Sequence, residues 1–293
     1  MPRSVPEMAV ALAIDIGGTK LAAGHVDAGG QLLGHRVAPT PRTDDPEALF
    51  VALADVVSPL VSGADLVGVG CGGPMTSGGE TVTPLNIPAW KDFALRARLA
   101  ELTGLPVFVD NDAKALALGE GWRGAAVGVD DYLAMVVSTG VGAGIVLDGR
   151  LLDGAGGNAG HIGHVIVEPG GRLCVCGARG CLEAEASGTA IAAMTGRPAS
   201  EADAETVARC GRLVGRAVAS VANLLDLRLA VAGGSVALGF GEPFFRAAQD
   251  ELDRSARISF SRGSRIVPVG LGADGPLVGA ARVGFRGLTT PEL

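Results

Sequence analysis

The 293-residue chain predicts an α/β protein of two similar domains, and three observations predict it. A strand, a glycine-rich turn and a return strand occur twice, about 120 residues apart. Apolar runs of strand length alternate with segments whose apolar residues recur at helical spacing. The length suits two domains at about 100–200 residues each.

The first copy opens with the apolar run from Ala9 to Ile16, interrupted only by Asp15 and ended by Gly17-Gly18, as a buried strand entering a tight turn. Leu21 to Val26 reads as the return strand, Asp27-Ala28-Gly29-Gly30 as a hairpin turn and Gln31 to Val37 as a third strand. Apolar residues at 49, 53, 56, 57 and 60 predict a helix over 46–61, with Asp44 or Asp45 placed to cap it. Leu66 to Gly70 is a further buried strand. Val107 to Val109 is another, followed by Asp110-Asn111-Asp112 and a helix over 113–119 that Asp110 or Asp112 could cap.

The second copy runs from the strand Tyr132 to Val137 through the turn Ser138 to Gly144, the return strand Ile145 to Leu147 and the turn Asp148-Gly149. Val207, Val214, Val218, Val221 and Leu225, spaced by 7, 4, 3 and 4, mark one face of an amphipathic helix. The strand Leu229 to Ala232 and Gly233-Gly234-Ser235 follow. The repeat places one domain over 1–110 and the other over 111–293, with a cleft between them and a C-terminal helix that can pack back on the first.

Composition narrows the function. With 48% apolar and 19% charged residues the chain can bury a core and is not disordered. A net charge of −7, with no block of like charges, argues against a nucleic-acid surface. No stretch reaches the ~18 apolar residues of a membrane span, and no signal-type segment opens the chain, so a cytoplasmic protein is expected. The 46 glycines, about twice average usage, gather in short motifs where backbone must approach a ligand or another chain segment.

Asp15-Ile16-Gly17-Gly18-Thr19-Lys20 joins a strand-end carboxylate to two glycines, a hydroxyl and an ammonium, the parts an anion-binding turn needs. Its spacing is not that of a Walker loop. A Gly-Gly hairpin would look the same, but the equivalent turn in the second copy favours phosphate binding. A carboxylate among Asp110-Asn111-Asp112 suits a general base at a strand end. Asn86-Ile87-Pro88-Ala89-Trp90 offers an amide beside an indole, suited to a polyhydroxylated ligand, although a loop packed under a tryptophan reads alike. His164 with Cys174, Cys176 and Cys181 supplies the ligands of a closed tetrahedral zinc shell, hence a structural site, against which stands the reading of three free thiols. His161 and Glu183 lie close to it in sequence.

Taken in order, Asp15 to Lys20, Asn86 to Trp90, Asn111-Asp112, Ser138 to Gly144, Gly160-His161-Ile162-Gly163-His164, Cys174 to Glu183 and Gly233-Gly234 resemble the ROK family of sugar kinases over essentially the whole chain. The resemblance implies a duplicated actin-like (ribonuclease-H-like) fold that closes on ATP–Mg²⁺ and a hexose. It implies Asp112 as the base that takes the proton of the sugar 6-hydroxyl. Gly17, Gly18, Thr19, Lys20, Thr139 and Gly140 would hold phosphates, Gly233 and Gly234 would border the adenosine, and Asp15 would reach Mg²⁺ directly or through water. Gly73, Asn86, Asn111, His161, His164 and Glu183 would contact the sugar. It also implies a homodimer or higher homo-oligomer, and leaves open the sugar and the donor, ATP or polyphosphate.

The sequence departs from the family at two places. Glucokinases of this family usually carry glutamate where His161 stands, and His-Ile-Gly-His resembles the form in bacterial N-acetylmannosamine kinases. Lys114 replaces a small or amide residue. A glucokinase is the leading expectation and a kinase of N-acetylmannosamine or another amino sugar the alternative. A sugar-responsive repressor of the same family is disfavoured, because only 14 residues precede Asp15 and a helix-turn-helix domain needs more.

Overall fold

The structure is a computed structural model that describes residues 6–289. The chain divides into two compact units. Among the described residues, one unit comprises 6–124, Asp153–Ala159 and 271–289; the other comprises Ala125–Leu152 and Gly160–Gly270. The division falls at Gly124, one helix beyond the boundary drawn from the repeat at residue 110.

The first unit is built on strands β1 (Val10–Ile16), β2 (Lys20–Asp27) and β3 (Leu32–Pro39), helix α1 (Pro46–Val57), strand β4 (Leu66–Cys71), helix α2 (Leu95–Thr103), strand β5 (Val107–Asn111) and helix α3 (Asp112–Arg123). Asp45 caps α1, accepting the Glu47 amide, and the helix gives way to a 3₁₀ turn over Ser58–Leu60. The sheet order is β3-β2-β1-β4-β5, antiparallel among the first three and parallel across β1, β4 and β5.

The second unit repeats this plan with β6 (Tyr132–Val137), β7 (Val141–Leu147) and β8 (Arg150–Leu151), then α4 (Leu182–Ala186), α5 (Gly188–Thr195), α6 (Ala204–Leu225), β9 (Leu229–Gly233), α7 (Ser235–Phe240), α8 (Glu242–Ser255) and β10 (Arg265–Pro268). Its order, β8-β7-β6-β9-β10, is the same ladder strand for strand, again with the last three parallel. The glycine turn is shorter than expected. Pairing with β6 begins at Val141, so only Ser138-Thr139-Gly140 form the turn, and Gly142, Ala143 and Gly144 belong to β7.

Period-2 alternation sorts the first unit's strand side chains onto two unlike faces. Leu12, Ile14 and Ile16 of β1 point to a large-residue core with Leu53, Val69, Trp90 and Leu99. Ala9, Ala11 and Ala13 point the other way, toward Ala280, Ala281 and Phe285 of the last helix, α9 (Gly275–Thr289), which belongs to this unit. Alanines and glycines on that face let α9 approach the sheet closely. A Cβ on Gly68 of β4 would overlap the Ala280 carbonyl oxygen, and one on Gly279 the Ala115 carbonyl of α3. The second unit uses the same device between helices, where Gly211 and Gly215 of α6 face the Phe244 and Ala248 carbonyls of α8. No helix of the described residues is long and apolar enough to cross a membrane.

Gly68→Ala forces a methyl into backbone and is expected to cost about 2–3 kcal/mol of stability by urea unfolding. Gly34→Ala on exposed β3, where a Cβ meets nothing within 4 Å, is expected to change it by less than about 1 kcal/mol.

Candidate functional site

In the first unit, parallel register carries the chemistry to one sheet edge. Asp15 of β1 pairs with Gly70 of β4, and Gly70 with Asp110 of β5. The chain therefore leaves β1, β4 and β5 side by side, and ligands gather outside the carboxyl ends of such strands. Gly17-Gly18 turn there, with the Gly17 amide donating to the Lys20 carbonyl at 2.9 Å. The Thr40 hydroxyl buttresses the turn by donating to Gly17 O at 2.6 Å. Asn86 is adjacent: a Cβ on Gly18 would come within 2.7 Å of its carbonyl, and one on Gly72 within 3.0 Å of its Oδ1. Trp90 holds that loop down, fully buried, stacked on Phe93 at 4.5 Å and donating Nε1 to Pro46 O at 3.2 Å. The tryptophan thus serves packing, and the amide of Asn86 is what the loop presents.

Asn111, not Asp110 or Asp112, caps α3: its Oδ1 accepts the amides of Ala113 and Lys114 at 3.0 and 3.3 Å. An amide oxygen does this at no cost in charge, leaving the Asn111 Nδ2 as a donor and the Asp112 carboxylate in the first turn, where the helix terminus favours an anion. Asp112 Oδ1 accepts the Ala113 amide at 2.8 Å. The two carboxylates feel one another. Burial first, and the charge of Asp112 second, push Asp15 up to about 7 against the opposing pull of Lys20. Between them lies fully buried Cys71, whose thiol is pushed well up by burial, Asp112 and Asp15.

The second unit assembles its own glycine turn. Ser138 Oγ lies 2.9 Å from Ser235 Oγ, joining the Thr139-Gly140 turn to Gly233-Gly234 at the start of α7. Gly234 has φ +94°, and a side chain there would strike the Val137 carbonyl. Three further contacts grip the turn from α4 and α5. The Val141 amide donates to Glu183 Oε2 at 2.9 Å, the Gly188 amide to Ser138 O at 2.7 Å and the Thr189 hydroxyl to Thr139 O at 2.9 Å. Glu183 therefore has one oxygen committed to backbone. Ser138 and Ser235 lie within motifs legible in the sequence, whereas Thr189 does not, because an isolated hydroxyl carries no spacing signal.

Gly160 and Gly163 flank His161 because β7 runs against them, a Cβ at either one overlapping a β7 carbonyl. The rings of His161 and His164 lie 6.0 Å apart. Beyond them the four expected zinc ligands converge, their donor atoms all within 4.8 Å of one another. His164 Nδ1 is 3.6 Å from Cys174 Sγ, and Cys176 Sγ is 3.7 Å from Cys181 Sγ. Tetrahedral zinc, with Zn–S about 2.3 Å and Zn–N about 2.0 Å, requires N···S and S···S edges of about 3.5 and 3.8 Å. The donor set fits that ion. Glu185, nearly buried, ties the knuckle to α6, accepting the Arg172 amide at 2.6 Å and Arg209 Nη2 at 2.5 Å.

Two predictions follow from these geometries. Folded Asp15 keeps a proton that the unfolded carboxyl releases near 3.8, so its contribution to stability falls as pH rises from 4 toward 7. The stability of the wild type relative to Asp15→Asn is expected to drop across that window by about 1 kcal/mol per pH unit, read by urea unfolding without ligands. Metal analysis is expected to find one zinc per chain and Cys181→Ser to lose it; well under one zinc in the wild type refutes the site.

Known proteins resemble this chain in sequence and fold. The family model described as ROK family matches residues 11–284. The N-acetylmannosamine kinase of Escherichia fergusonii is 41% identical over 246 residues, covering 78% of this chain and 84% of that protein. The ROK family glucokinase from Streptomyces griseus, solved in complex with glucose and AMPPNP, superposes with a TM-score of 0.83 at 31% identity, over 95% of this chain and 100% of that one. The ROK hexokinase from Thermus thermophilus does so with a TM-score of 0.78 at 35% identity, over 95% and 99%. The duplicated α/β architecture of the actin-like ATPases is thereby borne out, and the chain belongs to the ROK family.

Proposed function

We propose that this ROK sugar kinase phosphorylates N-acetylmannosamine at its 6-hydroxyl with ATP as donor. The observation that carries the reading is the 41% identity, over most of both chains, to an N-acetylmannosamine kinase. The chemistry of His161 agrees. A carboxylate at that position only accepts hydrogen bonds, which suits hydroxyls, whereas an imidazole can also donate to an acetamido carbonyl at C2. A glucokinase, expected first from the sequence, is the second reading and draws on the 31% identity to the Streptomyces griseus enzyme.

In the proposed reaction Asp112 accepts the proton of the 6-hydroxyl as its oxygen attacks the γ-phosphorus, and the bond to the β–γ bridging oxygen breaks to release ADP. A neutral hydroxyl is a poor nucleophile, so the base matters, but alignment and charge neutralisation supply most of the rate. Gly17, Gly18, Thr19 and Lys20 on the first unit and Thr139 and Gly140 on the second are the groups for the phosphates; Gly233 and Gly234 border the adenosine. Mg²⁺, when bound, neutralises phosphate charge. Asp15 suits it, since its ionised form is disfavoured by burial and by Asp112 and a divalent cation offsets both. Gly73, Asn86, Asn111, His161, His164 and Glu183 are proposed sugar contacts. A zinc on His164 Nδ1 would keep the proton on Nε2, so that His164 both ligates and donates. Glu183 has its second oxygen to offer.

A coupled ADP-release assay over glucose, mannose, glucosamine, N-acetylglucosamine, N-acetylmannosamine and kanosamine is expected to give the highest kcat/KM with N-acetylmannosamine. Glucose outrunning every amino sugar would establish the second reading instead. Asp112→Asn is expected to lower kcat about 10²–10⁴-fold, and retention of most turnover sinks the base assignment. His161→Glu is expected to shift the N-acetylmannosamine to glucose preference at least about tenfold toward glucose.

A further inference from the structure

Lys114, where the family resemblance implies a small or amide residue, is buried against polar partners. It lies on α3 two residues beyond Asp112, and only 1% of it is exposed. An ammonium has three donors, and here they meet three acceptors from two chain segments. Nζ lies 2.9 Å from Asp153 Oδ1, 2.9 Å from the Gly157 carbonyl and 3.5 Å from Asp110 Oδ1 at the end of β5. Arg286 of α9 spans the same two carboxylates, at 3.0 Å from Asp153 and 3.7 Å from Asp110. Two cations and two carboxylates therefore form one neutral cluster. Its acceptors Asp153 and Gly157 belong to Asp153–Ala159, the segment that lies with the first unit although the chain on both sides of it lies with the second. A second anchor holds that segment: Asn158 Oδ1 accepts the Met75 amide at 3.2 Å and Nδ2 donates to the Met75 carbonyl at 3.1 Å. Two residues after Gly73 and three before His161, this anchor joins stretches that the proposed reaction uses.

Burying the Lys114 ammonium adds little net stability over an apolar side chain of the same volume, because desolvation offsets the attraction. What it does supply is direction, since each donor must meet a particular acceptor. We infer that Lys114 is a positioning residue for the sugar end of the reaction, coupling the helical turn that carries Asp112 to the Asp153–Ala159 segment that runs into His161. The role in sugar binding rests on the kinase reading above; the coupling itself rests on the cluster.

The test uses full-length Lys114→Met, Asp153→Asn and the double variant. Hydrogen exchange of the ligand-free proteins is expected to quicken at least tenfold in both 111–114 and 153–164 for each variant, with the double variant no faster than Lys114→Met. The KM for the sugar is expected to rise five- to tenfold while the KM for ATP stays within twofold. Faster exchange confined to α3, or a fall in kcat with the sugar KM unmoved, would leave Lys114 a merely structural residue and overturn the inference. Asp153 is half-exposed, so Asp153→Asn carries the test if Lys114→Met does not fold. If the wild type phosphorylates no sugar, the kinase reading fails. The exchange data then decide the coupling, joint loosening of both segments sustaining it and loosening of α3 alone overturning it.

Discussion

Two carboxylates, Asp15 near the end of β1 and Asp112 at the start of α3 just beyond β5, stand on parallel strands separated by β4, and the sheet holds them in place. Neither can move away without breaking the β1–β4–β5 ladder, whose register sets Asp15 beside Gly70 and Gly70 beside Asp110. Burial first, and the charge of Asp112 second, favour the protonated form of Asp15 there. A site that strains to hold negative charge is one that welcomes cations and developing positive charge. The helix terminus at Asp112 and the ammonium of Lys20 act in the opposite sense to burial, each favouring the ionised carboxylate beside it.

The sheet can bear this because its other requirements are met by backbone proximity. Small residues on one face of β1 and β4 let α9 lie against the strands, and α9 in turn delivers Arg286 to Asp110 and Asp153. The second unit solves a related problem differently. Its glycine turn has no lysine; instead Glu183, Gly188 and Thr189 hold its backbone from α4 and α5. Since Glu183 follows Cys181 by two residues, the His164–Cys174–Cys176–Cys181 cluster and the Ser138–Gly140 turn are both tied to one short helix, α4.

Much of this was legible in the sequence, for a definite reason. Strand periodicity, the Gly-Gly turns and the three cysteines are local patterns, each enforced by the geometry of a few consecutive residues. The helix over 46–61 ended early at Val57, where the residues pass into a 3₁₀ turn around Pro59. The turn at 138–144 proved to be three residues, because cross-strand pairing claims Val141 onward. The α3 cap went to Asn111 rather than a flanking aspartate, a choice among three adjacent side chains that only backbone dihedrals settle.

The sequence by itself determined the duplicated plan, the strand ends that carry Asp15 and Asp112, and the His164–Cys174–Cys176–Cys181 set, since all depend on spacing along one chain. Tertiary structure alone decided that Lys114 meets Asp153 and Gly157 about 40 residues away, that Asn158 pairs with Met75, and that Glu183 spends an oxygen on Val141. These are individual long-range contacts of one or two hydrogen bonds each. Each requires two particular atoms to arrive at one point, and no periodicity along the chain encodes such a meeting.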